Sequence, residues 1–265
     1  MTRLAITMGD PAGVGPEIIM KALQRIEQRP DEDKPVLVVL GCAKALEQSA
    51  ETLGMRPPPR IGLDDVATAT GIACVALDED VPVPALGVVS SAGGEFAYRA
   101  IEEAVHLSAS GAIDAMVTAP LNKEALNLAG HHFAGHTDML AHLTGVKGTV
   151  MKQAHGTFRV THLTTHVALA DVPKLLTPER LSRVLDLTLE ALRRLGVEKP
   201  RIAVAALNPH AGEGGIFGRE DIDVTTPLVK DYQRRGHAIE GPVPGDTVFV
   251  KLRGGRYDAV VAMYH

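Results

Sequence analysis

Short apolar, β-branched runs recur along this chain, separated by longer stretches in which apolar residues return every three or four positions. The runs Leu4–Thr7, Val36–Leu40, Ala115–Thr118, Thr157–Leu163, Ile202–Leu207 and Ala259–Met263 read as mostly buried strands, because a continuous apolar run bounded by turn residues suits a strand covered on both faces. Helices are predicted between them, over about Pro16–Arg29, Ala43–Leu53, Glu95–Ser108 and Asp221–Arg235. The clearest runs from Pro178 to Leu195: Thr177 is placed to cap its first turn, Gly196 ends it, and Leu181, Val184, Leu185, Leu189 and Leu192 form one apolar stripe. Strands alternating with helices predict an α/β fold with a mainly parallel sheet. The Pro-rich pieces Arg56–Arg60 and Val81–Pro84 read as surface connections, and the polar stretch Asn122–His136 as the crossing between lobes.

Composition narrows the function. With 265 residues, 45% of them hydrophobic, the chain can bury a large core as one α/β domain or two lobes. A net charge of −5 with mixed signs offers no basic stripe for a phosphate backbone, and 3% aromatic residues with no Trp offer no stacking platform for bases. A small polar ligand is the better match, and nucleic acid is not an expected partner. Cys42 and Cys74 lack the CxxC spacing of a zinc or redox site, and no signal-peptide core or membrane-length apolar run occurs, so a cytoplasmic protein is expected.

In open α/β sheets ligands collect beyond the carboxyl ends of strands. There this sequence turns polar. Three predicted strands run out into Thr164-Thr165-His166, Asn208-Pro209-His210 and Met263-Tyr264-His265, which could bring His166, His210 and His265 to one divalent metal with positions left for substrate and water. Surface or hydrogen-bonded histidines are the competing reading. His162, four residues before His166, falls within a β-branched run and reads as a structural strand residue. The segment Gly9–Glu17 joins a strand to a helix and serves either as an anion cradle or as a tight turn; it is neither GxGxxG nor a P-loop. Asn208–Gly215, with three glycines, a His and a carboxylate, has little to give an apolar core and reads as a site loop. Gly135-His136-Thr137 precedes a predicted helix Asp138–Leu143, which Thr137 could cap.

In order along the chain, GDPAGVGPE, TAPLNKEAL, FAGHTDMLAHLTG, TTH, NPHAGEGG, GDTVF and AMYH closely resemble the signatures of the 4-hydroxythreonine-4-phosphate dehydrogenase family of pyridoxal phosphate biosynthesis, across essentially the whole sequence. The resemblance implies a two-lobed fold similar to the isocitrate and isopropylmalate dehydrogenases, with residues 1–125 as the first lobe, joined by 256–265, and 126–255 as the second. It implies a homodimer with shared active sites, NAD or NADP as cofactor, and a divalent metal (Zn, Co or Mg) on His166, His210 and His265. His136 and Thr137 match the family's substrate contacts, and Lys123 and Asp246 are candidates for handling or positioning a proton; no cofactor-binding residue is assigned. The implied reaction is oxidation of a four-carbon phosphorylated hydroxy acid of the 4-phosphohydroxythreonine type to a β-keto acid, which then loses CO2. A paralogous branch acts on D-threonate or D-erythronate 4-phosphate, and the residues around the first Gly-Asp-Pro and after His136-Thr137 look somewhat more like it. Relatives continue past AMYH, so the resemblance also implies that a C-terminal part of the first lobe is missing, which would leave an inactive dimeric remnant. From the residues alone, three His around an open metal position would equally serve an aldolase or a hydrolase.

Overall fold

The computed structural model describes residues 2–30, 32, 34–77 and 81–265. The chain divides into two compact units, Met1–Val146 and Lys147–His265.

In the first unit, β1 (Arg3–Thr7), α1 (Gly15–Glu27), β2 (Val36–Gly41), α2 (Ala43–Thr52), β3 (Ile72–Ala76), α3 (Ser91–Ala109) and β4 (Ala115–Thr118) are followed by α4 (Lys123–Leu128) and α5 (His136–Thr144). The sheet order is β3-β2-β1-β4, all parallel, with Leu4 level with Leu37 on one side and Ala115 on the other. Alternation along β2 explains how both faces are covered. Leu37 and Val39 pack with Ile19, Met20, Leu23 and Leu46 of α1 and α2, whereas Val38 and Leu40 pack with Ala100, Ala104 and Leu107 of α3. After β3 the chain crosses back, so that β4 lies on the opposite side of β1, and the order of strands reverses between β1 and β4.

The close approach of α3 to α4 depends on one glycine. A Cβ on Gly94 would stand 2.0 Å from the Ala125 carbonyl oxygen, a backbone atom that cannot swing aside. Replacing Gly94 by Ala is expected to destabilise this unit by about 2–3 kcal/mol, because overpacking outweighs the roughly 1 kcal/mol that Ala gains in a helix. Thermal unfolding reads this as a Tm several degrees lower; an unchanged or higher Tm would show that α3 and α4 can separate at no cost.

The second unit contains β5 (Lys152–His155), β6 (Phe158–His162), the single turn α6 (Val172–Leu175), α7 (Pro178–Arg194), β7 (Arg201–Ala205), α8 (Thr226–Arg234), β8 (Ala238–Val243), α9 (Gly245–Arg253) and β9 (Ala259–Ala262). Its sheet order is β5-β6-β9-β7-β8, parallel except for the β5–β6 hairpin. Leu181, Val184, Leu185, Leu189 and Leu192 of α7 pack on Ile202, Val204, Val261 and Met263 of one sheet face. Val248 and Leu252 of α9 pack with Val160, Ala203, Val260 and Ala262 on the other. The Thr177 hydroxyl accepts the Arg180 N–H at 3.2 Å, the cap that the sequence predicts.

Several expectations are corrected. Residues 256–265 do not join a first lobe, because β9 hydrogen-bonds between β6 and β7 in the second sheet. The units divide at Val146/Lys147 rather than near 125, and Asn122–His136 lies inside the first unit, where residues 123–128 are helical. β4 is an exposed edge strand, with Val117 half in solvent, and not a mostly buried one. The predicted helix from 221 opens with a π-helical turn, Asp221–Thr225, before α8. Among the described residues no helix is long and apolar enough to cross a membrane.

Candidate functional site

The second unit gathers the histidines at one edge of its sheet. β6, β9 and β7 are neighbours and parallel, so the segments leading to His166, His265 and His210 all leave the sheet at the same edge. The first two segments are tied together by backbone. Leu163 donates its N–H to the Ala262 carbonyl at 2.8 Å, and Thr164 donates both its N–H, at 3.2 Å, and its hydroxyl, at 2.8 Å, to the Met263 carbonyl. As a result the rings of His166 and His265 stand edge to face with centroids 6.1 Å apart. Two imidazoles that share one ion at about 2.0–2.1 Å from each nitrogen have centroids about 5 Å apart, so the pair has the chemistry of metal ligands but stands wider than a shared ion would hold it.

His210 is not brought into that pair. Among the described residues no group of three His, Cys, Asp or Glu side chains stands ready to hold an ion. His210 lies on the loop after β7, where residues 210–214 all have left-handed backbone, including the non-glycine His210 (φ 51°), Ala211 (φ 55°) and Glu213 (φ 40°). Such a run costs about 1–2 kcal/mol per non-glycine residue and persists only where neighbours hold it. Asp221 is the holder. Fully buried in the π-helical turn, its carboxylate accepts the backbone N–H groups of Leu207 and Asn208 at 3.1 and 2.9 Å and the Thr225 hydroxyl at 3.2 Å. The Asn208 amide then donates to Glu220 at 2.7 Å. Sequence reasoning missed Asp221; a buried Asp one helical turn before Thr225, following a glycine-rich loop, was the available signal.

His162 also takes a place that sequence did not assign to it. It is 4% exposed on β6, its Nδ1 is buried without a hydrogen-bond partner, and its ring meets His265 edge-on at 5.2 Å between centroids. Burial pushes its pKa down, a hydrogen bond to the Met151 backbone opposes this, and the His265 charge adds to the depression. Asp246 lies in the first turn of α9, exposed.

In the first unit, the polar groups collect where the strand order reverses, the expected ligand position in an open parallel sheet. A cavity of about 250 Å³ there is lined by Asp10, Gly13 and Val14 after β1, by Pro120 and Asn122 after β4, and by Gly87–Val89. The loops touch closely: a Cβ on Gly9 (φ 71°) would lie 2.1 Å from the Pro120 carbonyl oxygen. Asp10 is 5% exposed, and burial raises its pKa, although the Ala12 N–H that it accepts at 2.9 Å works in the other direction. Lys123 opens α4 and is exposed. His136 is the first residue of α5, with Gly135, not Thr137, at the cap position; Thr137 is exposed in the first turn. Burial lowers the His136 pKa against an opposing hydrogen bond to the Ala119 backbone, and its Nε2 is buried without a partner. A neutral imidazole that gives its one N–H to a backbone carbonyl has an acceptor nitrogen left, which is equipped to accept a hydroxyl of a ligand.

Residues 32–265 match the family described as Pyridoxal phosphate biosynthetic protein PdxA. A Bradyrhizobium diazoefficiens protein provisionally named a D-threonate 4-phosphate dehydrogenase is 57% identical over 263 residues, covering 99% of this chain and 76% of its own length. The D-threonate 4-phosphate dehydrogenase of Salmonella typhimurium is 42% identical, with 99% of this chain and 80% of its own length covered. Among solved structures, a 4-hydroxythreonine-4-phosphate dehydrogenase from Klebsiella pneumoniae matches with a TM-score of 0.87 at 40% identity, over 100% of this chain and 80% of that one.

Proposed function

Because this chain belongs to the family of the pyridoxal phosphate biosynthetic protein PdxA, we propose that it takes part in the NAD(P)-linked oxidation of a four-carbon phosphorylated hydroxy acid, with D-threonate 4-phosphate as its substrate. The observation that carries the choice of substrate is the 57% identity to a relative named for that compound. A structural neighbour titled for 4-hydroxythreonine 4-phosphate favours that compound as the second reading. The two differ by a hydroxyl against an amine beside the reacting carbinol. The resemblance to isocitrate and isopropylmalate dehydrogenases, the cytoplasmic location and a homodimer with shared sites belong to the same proposal.

In this reading His166, His210 and His265 hold a divalent ion. His166 and His265 already face one another, and His210 is brought in by movement of its loop or supplied across a dimer. When bound, the ion would supply positive charge to favour the alkoxide, and NAD(P) would be the hydride acceptor. His136 and Thr137 orient the substrate, His136 through its unused Nε2. Lys123 and Asp246 handle or position the proton that leaves the hydroxyl. The carbinol C–H and O–H bonds are lost to leave a ketone β to the carboxylate; the C–C bond to that carboxylate then breaks, CO2 leaves, the bonding pair passes to the ketone as an enolate, and the carbon that bore the carboxylate takes a proton.

A spectrophotometric screen tests this directly. D-Threonate, D-erythronate and 4-hydroxythreonine 4-phosphates are each supplied with NAD or NADP and a divalent metal. Reduction of the nucleotide with D-threonate 4-phosphate at the highest kcat/KM is the expected result. A clear preference for 4-hydroxythreonine 4-phosphate moves the assignment to the second reading, and metal-dependent consumption of substrate with no nucleotide reduced would favour an aldolase or a hydrolase.

A further inference from the structure

His162 interrupts an apolar surface. By strand alternation it shares the sheet face of Val160, whose neighbours on β9 and α9 are Val260, Ala262, Val248 and Leu252. An aliphatic side chain would fill that position without a polar atom to satisfy. The imidazole instead buries an Nδ1 that has no hydrogen-bond partner among the described residues, within edge contact of His265. A histidine that gives one ring nitrogen to a metal carries its proton on the other, and that N–H needs an acceptor to fix the tautomer and the ring's orientation. Among the described residues, His265 meets the rings of His166 at 6.1 Å and His162 at 5.2 Å between centroids. His166 is exposed and belongs to the proposed ligand set, whereas His162 is buried and has an unused nitrogen.

We propose that His162 is a positioning residue whose buried imidazole accepts the second N–H of His265, and so orients His265 toward the divalent ion. The proposal rests on the metal assignment made above. The two rings are already in edge contact, and the pairing of His162 with Ala262, three residues before His265, holds together the segments that carry them. This role also gives a reason for a His where Val160 and Ala262 would lead one to expect a further apolar residue.

Zinc and cobalt binding to the full chain, measured by competition titration with a chromophoric chelator, tests the role apart from catalysis. His162→Leu, which fills the volume but accepts nothing, is expected to weaken metal binding about 10–100-fold, the range for loss of a partner behind a metal-bound histidine. His162→Asn, whose amide oxygen can stand near the Nδ1 position, should recover most of the affinity and is also the variant to use if His162→Leu fails to fold. His265→Ala should weaken binding too, and adding His162→Leu to it should have no further effect, since one residue acts through the other. If His162→Leu binds metal as the native protein does while His265→Ala does not, or if the two losses multiply, His162 has no such role. If His265→Ala leaves metal affinity unchanged, the metal assignment fails and takes this proposal with it.

Discussion

Replacing His210 by alanine is expected to abolish most divalent-metal binding and most NAD(P) reduction while leaving the unfolding temperature almost unchanged. His210 is exposed on a loop, makes no part of either apolar core, and already has left-handed backbone that alanine tolerates no worse. Exposed substitutions of this kind stay within about 0.5 kcal/mol of the native stability. Loss of a direct metal ligand should cost at least the ~10–100-fold in affinity that removal of an outer partner costs. Metal content after dialysis and kcat/KM from nucleotide absorbance are the readouts, with thermal unfolding as the control. Full metal occupancy in the variant would remove His210 from the ligand set, leaving the facing pair His166 and His265 to be explained in another way.

Replacing Asp221 by alanine should do the opposite and damage the second unit itself. Three donors, the N–H groups of Leu207 and Asn208 and the Thr225 hydroxyl, lose their acceptor in one step. Each unsatisfied buried group costs about 1–3 kcal/mol, and allowing for water entry the total should be about 3 kcal/mol. For a unit of this size that is a fall in Tm on the order of 10 °C. The strain in residues 210–214 gives this loss a second effect, because a loop freed from Asp221 can relax out of the left-handed region. Asp221→Asn keeps one acceptor and the side-chain volume and should recover about half of the stability. Native Tm in Asp221→Ala would show that the loop holds its own shape.

Much of this architecture is legible in the sequence where one face or both faces of an element are buried. The stripe of α7 and the continuous runs of β1, β2 and β6 report their surroundings directly, because alternate or periodic positions must each find a core. Of the elements that sequence missed, β3 is short but buried, and the others have only partial burial. β5 is polar because it is a hairpin edge, and β8 carries Gly241 and Pro242 near the outer edge of its sheet. α9 hides behind a start at Gly245-Asp246 that reads as a turn. The three histidines stand out in the sequence because each follows an apolar run, and the strands that those runs form are adjacent in the sheet. The lack of convergence of His210 could not be read, since it depends on a left-handed run that three non-glycine residues would not suggest. His162 was given a structural role for the sound reason that it lies within a strand; its contact with His265 arises from β9 taking the neighbouring position, which local sequence does not encode.

The position of β9 also sets the order in which the two units can be completed during synthesis. β6 and β7 never pair with each other; each pairs with β9, which follows both by many residues. Until residues 259–262 have left the ribosome, the second sheet consists of two separate pieces with open inner edges, the hairpin β5–β6 and the pair β7–β8. The first unit has no such dependence, since all four of its strands lie within residues 3–118. Domains tend to fold as they emerge, and pairings between distant strands are slow. The nascent chain therefore carries a finished first unit beside a second one whose inward-facing Val160, Ile202 and Val204 remain open to other apolar surfaces, and that interval is when a chaperone has most to protect.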